Sequence, residues 1–544
     1  MTHFKKHKLS DTNQEKQHDQ YNNQIVQTQE TTCSLPSLSK SIEDESNKLN
    51  QYLPDYGKYA LFKKAFLLKL TFIVILISLA NTVQGYITAF LNVCQMQPAF
   101  LHYTGNPTGA VLGAINTAPE LGGVITLGIS SHLSDNLGRR TPLIIGSVFV
   151  LIAVVLQSCA QNYAMFLIGG LFNGFGGSIG QVAATSLVSE VSYPPYRQVM
   201  SVICSTSWFI GANLAAWIGY GVKDVTGNWC WRIIAICGVI LPAIQLSFIW
   251  MIPESPRWLV SKDRDQDARK MLIKYHGDNN EEVAGELVDF EMCEIKAAIQ
   301  AERVASNYKY SDLFKTTANR KRLFLTVMCS ILLMMSGNSV VSFYINKILE
   351  SIGYTSRSQK ILINAGMMVY SYGVSLLATI TVGILKRRTS FLTTLSMMLV
   401  SYVIWTALSA INQQNNFKDK SYANGVLAMV FLFILAYEAG FNAVPWVYLT
   451  EIFPFTIRAK GLNIFCTLNL FWLALAGFVN PVALDAIGWK YYLVFVAFIV
   501  FDMIVVFFTF VETSGKTLEE IAEVFGEPSG EMQPISTIPA SGVN

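Results

Sequence analysis

Apolar runs of roughly 20 residues, each long enough to cross a lipid bilayer as a helix, recur along this chain and limit what it can fold into more than any other feature. About twelve are legible, near residues 66–88, 109–131, 142–160, 163–188, 199–222, 231–252, 322–349, 359–385, 389–411, 424–449, 458–480 and 489–511. With 52% hydrophobic and only 14% charged residues over 544 positions, a string of soluble domains is excluded, because the excess apolar surface must face lipid. The expected fold is an all-α membrane protein of about twelve transmembrane helices.

The stretch Pro253-Glu254-Ser255-Pro256-Arg257-Trp258-Leu259 opens a charged segment that reaches Lys321 and divides the apolar runs into two similar blocks. The organisation expected is a disordered polar tail over 1–55, too poor in large apolar side chains to fold alone, and a six-helix bundle over 56–252. A central loop over 253–321, a second six-helix bundle over 322–511 and a short tail over 512–544 complete it. In the central loop Ala268, Leu272, Leu287, Phe290, Ile295 and Ile299 recur among charges, so short amphipathic helices are expected there.

A formal charge of +3 is too small to suggest a nucleic-acid partner, and its placement says more than its size. Arg139 and Arg140, Arg197, the 257–321 segment, Lys386 to Arg388, and Arg458 with Lys460 fall in alternate loops, and basic loops stay in the cytosol. Both termini are therefore expected in the cytosol. The other side carries Lys223, Arg357, Lys360, Lys418, Lys420 and Lys490, but its first two loops have no cation, so the rule holds as a bias. The nine cysteines show no spacing of a disulfide framework or zinc site, and no chemistry is assigned to them. No phosphate loop, metal spacing or nucleophile constellation appears in the aqueous segments, so neither an enzyme nor a cofactor is expected.

The chain repeats itself. Glu190 precedes Arg197 by the spacing at which Glu451 precedes Arg458, with Pro194 and Pro454 between the members. Gly138-Arg139-Arg140-Thr141 echoes Lys386-Arg387-Arg388-Thr389, and Pro253-Glu254-Ser255 echoes Val511-Glu512-Thr513. Three echoes in one order make two six-span halves, and because six is even the repeat is parallel about an axis along the membrane normal.

These motifs, with Ser134-Asp135-Asn136-Leu137 before the first arginine pair and Glu451-Ile452-Phe453-Pro454 after the tenth span, resemble the sugar porter family of the major facilitator superfamily. The likeness is greatest to its fungal lactose-permease and hexose-transporter branches and covers about Lys64 to Val524. It implies a cytosolic gate of Asp135, Arg139, Arg140, Glu190, Arg197 and Glu254 in the first half with Glu451, Arg458 and Glu512 in the second. Charges at span ends, where water is partly excluded, need such partners in any case. Gly383 and Lys386 stand where the porter pattern has an acidic residue and a glycine before the second arginine pair, so looser coupling is expected in the second half.

A sugar offers hydroxyls and an apolar CH face, so its site needs amides or carboxylates and an aromatic ring. The resemblance places Ser336, Asn338, Ser339 and Tyr344 of the seventh span, Trp446 of the tenth and Asn469 of the eleventh at substrate positions, and Asn364, Glu438 and Asn442 add polar groups at similar depth. Met334, Phe209, Phe441 and Leu470 depart from the family's amides and tryptophans, so the substrate expected is an unusual sugar, a polyol or a glycoside with an apolar part. Proton-coupled porters have an acidic residue after Gly-Tyr in the first span and an arginine in the fourth; here Ile87 and Gly170 occupy those places. Losing both together avoids stranding a buried charge, and facilitated diffusion is expected. The alternatives are proton coupling through Glu120 or Glu438, and a nutrient sensor on the same fold, against which stands the short stretch after Glu520. The partners expected are a small sugar or polyol and the lipid bilayer, with the chain acting as a monomer in the plasma membrane.

Overall fold

A computed structural model describes residues 64–526 apart from 307, 355, 418 and 517, and the tail expected over 1–55 lies outside the described residues. Regular structure among the described residues is helical throughout. The first half holds α1 (Ala65–Gln95), α2 (Gly109–Leu137), α3 (Arg140–Ser158), α4 (Tyr163–Val191), α5 (Arg197–Gly221) and α6 (Trp229–Met251). Three linker helices follow, α7 (Pro256–Ser261), α8 (Asp265–His276) and α9 (Glu281–Ser306). The second half holds α10 (Thr317–Ser351), α11 (Arg357–Ile384), α12 (Arg387–Gln414), α13 (Lys420–Ile452), α14 (Phe455–Ile487) and α15 (Tyr492–Thr509), with α16 (Leu518–Phe525) after it.

Nine helical stretches among the described residues are long and apolar enough to cross a membrane; one of them is α14 and α15 together, and α2 passes as a bent pair. With α4, which packs against α2 and α3, the spans reach the expected twelve. The chain is a multi-pass membrane protein. Observed helices overshoot the apolar runs, α1 continuing to Gln95 and α14 to Ile487, because a helix need not end where hydrocarbon does.

The two halves cohere by different means. In the first, helices approach at glycines: a methyl on Gly211 of α5 would strike the Thr82 carbonyl of α1, and one on Gly174 of α4 the Pro119 carbonyl of α2. Small residues let backbones meet where no hydrophobic effect drives association. The second half is filled with rings: Tyr402 stacks on Trp405 at 4.9 Å, Trp405 meets Tyr492 at 4.7 Å, and Tyr448 stacks on Phe510 at 5.1 Å. Ala268, Leu272 and Leu287 of the linker helices are buried against α1 and α4, as their periodicity indicated. Among the described residues Cys94, Cys159, Cys204, Cys230, Cys237, Cys329 and Cys466 are free thiols.

Replacing Gly211 by Val is expected to lower the apparent unfolding midpoint of the detergent-purified protein by several degrees, since overpacking costs about 1–3 kcal/mol. The same change at Gly366, where a methyl meets no atom within 4 Å, should leave that midpoint within a degree or so in the same fluorescence melt.

Candidate functional site

Two clusters of charge mark the basic end of the bundle, where α3 and α12 start. In the first, the Glu254 carboxylate accepts the backbone N–H groups of Arg139 at 2.6 Å, Arg140 at 3.3 Å and Ser255 at 2.9 Å. A helix start leaves such groups without partners and favours an anion. Arg139 then reaches the Ser134 carbonyl at 2.6 Å, Asp135 at 3.1 Å and Glu190 at 3.5 Å. In the second, Glu512 accepts from the backbone of Arg387 at 2.8 Å, Arg388 at 3.1 Å and Ser514 at 3.1 Å. Arg387 grips Glu451 at 3.1 Å, and Glu451 also takes the Thr513 hydroxyl at 2.5 Å.

The structure therefore brings together Asp135, Arg139, Glu190 and Glu254 on one side, and Glu451 and Glu512 on the other. Among the described residues Arg140 enters through its backbone N–H, Arg197 makes no ion pair, and Arg458 donates to the Phe453 carbonyl at 3.1 Å. Among the described residues no ion pair joins the two clusters. The looser second half is not what is seen. Arg387 contacts both Glu451 oxygens through its Nε, at 3.1 and 3.4 Å, although Gly383 stands where the first half has Asp135. Arg387 and Thr513 were not singled out in the sequence, although the alignment of Arg387 with Arg139 carried the signal.

Halfway along, α10 breaks. Gly337 takes φ +90°, its carbonyl accepts the Tyr402 hydroxyl at 3.0 Å, and a side chain there would collide with that ring. Backbone irregularity at membrane depth is tolerated only where protein or a passage covers it. Past the break Asn338 is half-buried, and its side-chain oxygen accepts the Ser342 hydroxyl at 3.3 Å. In α13 the segment Tyr437–Phe441 forms a π-helical turn, a feature frequent at functional sites, where Glu438 accepts from Asn442 at 3.0 Å. Trp446, 42% exposed, presents its ring to Phe465 of α14 at 4.8 Å. One turn beyond Phe465, Asn469 is buried with its Oδ1 unpartnered among the described residues, and Asn364 of α11 is fully buried with neither amide atom partnered among them.

The remaining candidates are spent on structure. Ser336 donates to the Leu333 carbonyl at 3.1 Å, and Ser339 accepts from Asn480 at 3.0 Å. Tyr344 donates to the Gly477 carbonyl at 2.6 Å and packs with Leu112 of the first half. Phe441 lies in the core of the second half against Phe391, whereas Phe209 stands 6.3 Å from Tyr372 of α11, across the seam between halves.

That seam is closed at the end opposite the charged clusters, and by amides. Asn92 of α1 donates to the Ser342 carbonyl, Asn346 of α10 to the Gln95 carbonyl at 3.2 Å, and Asn213 of α5 to the Met368 carbonyl at 3.1 Å. Arg357 donates to Gln97, and Asp485 of α14 accepts the Gly109 N–H at 3.0 Å while holding Lys347 at 2.7 Å.

A bundle closed at one end, with charge clusters confined to each half at the other and half-exposed polar groups between, is the geometry of a solute carrier. Residues 73–525 match the family model described as sugar (and other) transporter. The MFS-type transporter criB of Aspergillus cristatus is 30% identical over 448 residues, covering 81% of this chain and 90% of its own. The high-affinity glucose transporter of Kluyveromyces lactis is 30% identical over 440 residues, covering 78% and 79%. Among solved structures, the inward open xylose transporter XylE of E. coli superposes with a TM-score of 0.68 at 19% identity, over 84% of this chain and 99% of that one. The chain belongs to the sugar porter family of the major facilitator superfamily, whose members are transporters and not enzymes.

Loss of the carboxylate in Glu254→Ala or Glu512→Ala is expected to cost about 1–2 kcal/mol, the scale of a lost helix cap, lowering the melting midpoint similarly in both variants. Because Arg387 neutralises Glu451 while Arg388 leans on Phe507 at the lipid-facing edge, Arg387→Met should lower it clearly more than Arg388→Met in the same melt.

Proposed function

We propose that this chain carries a sugar or sugar-like solute, whether hexose, disaccharide, glycoside or polyol, across a membrane by alternating access and without coupling to protons. The observation that carries the reading is the half-exposed Trp446, together with buried amide atoms that have no partner among the described residues, both of Asn364 on α11 and the Oδ1 of Asn469 on α14. A ring for a CH face and amides for paired hydrogen bonds are what a polyhydroxyl solute needs. Asn338, Glu438 and Asn442 complete the site; Ser336, Ser339 and Tyr344 shape it from behind. The glucose transporters among the relatives support a sugar as the solute class.

The orientation we propose puts the basic end and both termini in the cytosol, since basic loops are retained there, and the closed amide seam outside. The chain then stands inward-facing, as a monomer in the plasma membrane, with its halves at 56–252 and 322–511 hinged about the 253–321 loop. The gate is the pair of charge clusters: Asp135, Arg139, Arg140, Glu190, Arg197 and Glu254, with Glu451, Arg458 and Glu512.

The uncoupled reading rests on what surrounds Ile87 and Gly170. Ile87 packs with Val83, Val150 and Val154, and a small cavity there is lined by Tyr86, Gln157 and Asn173, with Asn173 donating to Gln157 at 2.6 Å. No carboxylate or cation is among its lining residues. A methyl on Gly170 would press on Ala118 at 3.2 Å, so close packing has taken the place of a long cation. Proton coupling keeps one supporting observation: Glu120 lies on the α2 face of Asn116 and Thr117 and makes no hydrogen bond among the described residues.

Trp446→Ala is expected to raise the apparent KM for uptake about tenfold, the scale of a lost aromatic stack, with surface expression intact; unchanged kinetics would remove Trp446 from the site. In lightly buffered cells, adding substrate should not alkalinise the medium, and a protonophore should not change the final distribution. Accumulation against the gradient with proton entry would contradict the uncoupled reading, and loss of that accumulation in Glu120→Gln or Glu438→Gln would identify the carrier of the proton.

A further inference from the structure

Most charges of the linker helices face solvent, but one pair does not. His276, the last residue of α8, is 1% exposed in its side chain and Glu291 of α9 is 4% exposed. The His276 Nδ1 lies 2.8 and 3.1 Å from the two Glu291 oxygens, and its Nε2 lies 3.0 Å from the Val191 carbonyl. A carbonyl only accepts, and so does an ionised carboxylate, whereas a neutral imidazole carries a single N–H. With one proton fewer, the buried pair would set one acceptor against another; with it, both contacts are hydrogen bonds.

Val191 ends α4, one residue after the gate residue Glu190, so the pair joins the linker to the first half at its gate. A cation at a helix C-terminus is also favoured by the helix dipole. The far end of α9 reaches the second half. Lys460 of α14 donates to the Ala305 carbonyl at 3.2 Å, while Glu302 pairs with Arg257 of the linker helix α7 at 2.5 Å. Thus α9 bridges the halves at the end where their own charge clusters do not meet.

The groups facing His276 come from every neighbouring element: Glu291 from α9, Arg197 from the start of α5, and the Tyr193 ring at 5.5 Å from the turn after α4. The other elements packed on α8 bring apolar residues to the surrounding buried cluster, Phe66, Leu67 and Leu70 from α1, whose Lys69 is exposed, and Leu259 and Val260 from α7. Burial works against the imidazolium and so does Arg197, but the Glu291 carboxylate and the Val191 carbonyl outweigh them and hold His276 above its ordinary value.

We propose that His276 and Glu291 form a proton-dependent pin that docks α8 and α9 onto the end of α4 and so steadies the inward-facing arrangement, whichever solute is carried. With the orientation proposed above, the proton comes from the cytosol. The contribution is complete below the ordinary imidazole value of 6.5 and is lost as pH rises through the raised one, so an alkaline cytosol loosens the linker.

The test is hydrogen–deuterium exchange of residues 265–306 in the full-length protein in nanodiscs, between about pH 6 and 9, corrected for the intrinsic pH dependence of exchange. Protection in the wild type should fall about tenfold on the alkaline side, the scale of one charge-assisted hydrogen bond. His276→Gln should show no such transition. Glu291→Gln, which keeps a side chain of the same shape, should move it down by about one pH unit or more, because burial and Arg197 are then opposed by the Val191 carbonyl without the carboxylate. A wild type with flat protection across the range, or a Glu291→Gln transition at the wild-type pH, would overturn the pin.

Discussion

Each half of this carrier depends on one carboxylate placed at the start of a helix. Glu254 follows the sixth span and Glu512 the twelfth, yet each returns to close the first turn of that half's third span. The open N–H groups of a helix start and the neighbouring arginine would be costly at a partly dry interface without an anion. Because the anion comes from the far end of the same half, six helices are tied into one unit. Arg139 and Arg387 extend the tie to Glu190 and Glu451, the ends of the fourth and tenth spans. All these bonds are internal to a half, which is what rigid-body rocking requires.

Contacts between the halves are of another kind. The closed seam is made largely of side-chain amides donating to backbone carbonyls, as at Asn346 and Asn213, each worth about 0.5–1.5 kcal/mol net. Such bonds can be exchanged for water at little cost when the outer end opens. The halves also differ in stiffness of design. Backbone contacts at glycines hold the first half, while the second, with its broken α10 and the π-helical turn before Trp446, carries nearly all the candidate substrate groups. Irregular backbone coincides with the candidates Asn338, Glu438 and Asn442, since unwound or distorted turns can direct polar atoms toward a passage.

The number of spans and the echoes between the halves were legible because they are written in apolar length and in short spacings, whereas the capping of α3 and α12 by Glu254 and Glu512 was not. Periodicity also placed the buried face of α8 and α9. Which polar side chains stay half-buried and which are bound to a neighbouring helix was not legible, since nothing local distinguishes Asn338, half-buried beyond a break, from Ser339, bound to Asn480. The same limit made Tyr344 a substrate candidate, although its hydroxyl is engaged by the Gly477 carbonyl. The missing acid before the second arginine pair was read as a weakness, yet Arg387 still reaches both oxygens of Glu451. Likewise His276 lay in view within Lys274-Tyr275-His276-Gly277, but its acceptors come from two other helices.

The central claim is that this chain moves a polyhydroxyl solute across a bilayer and does not merely bind one. Counterflow in liposomes containing the purified full-length protein tests it most directly. Vesicles loaded with an excess of one unlabelled hexose, polyol or glycoside and diluted into a trace of the same labelled solute should show a transient, saturable uptake with no proton gradient applied. Absence of counterflow for every solute that the same preparation binds would contradict transport and leave a sensor built on a carrier's fold.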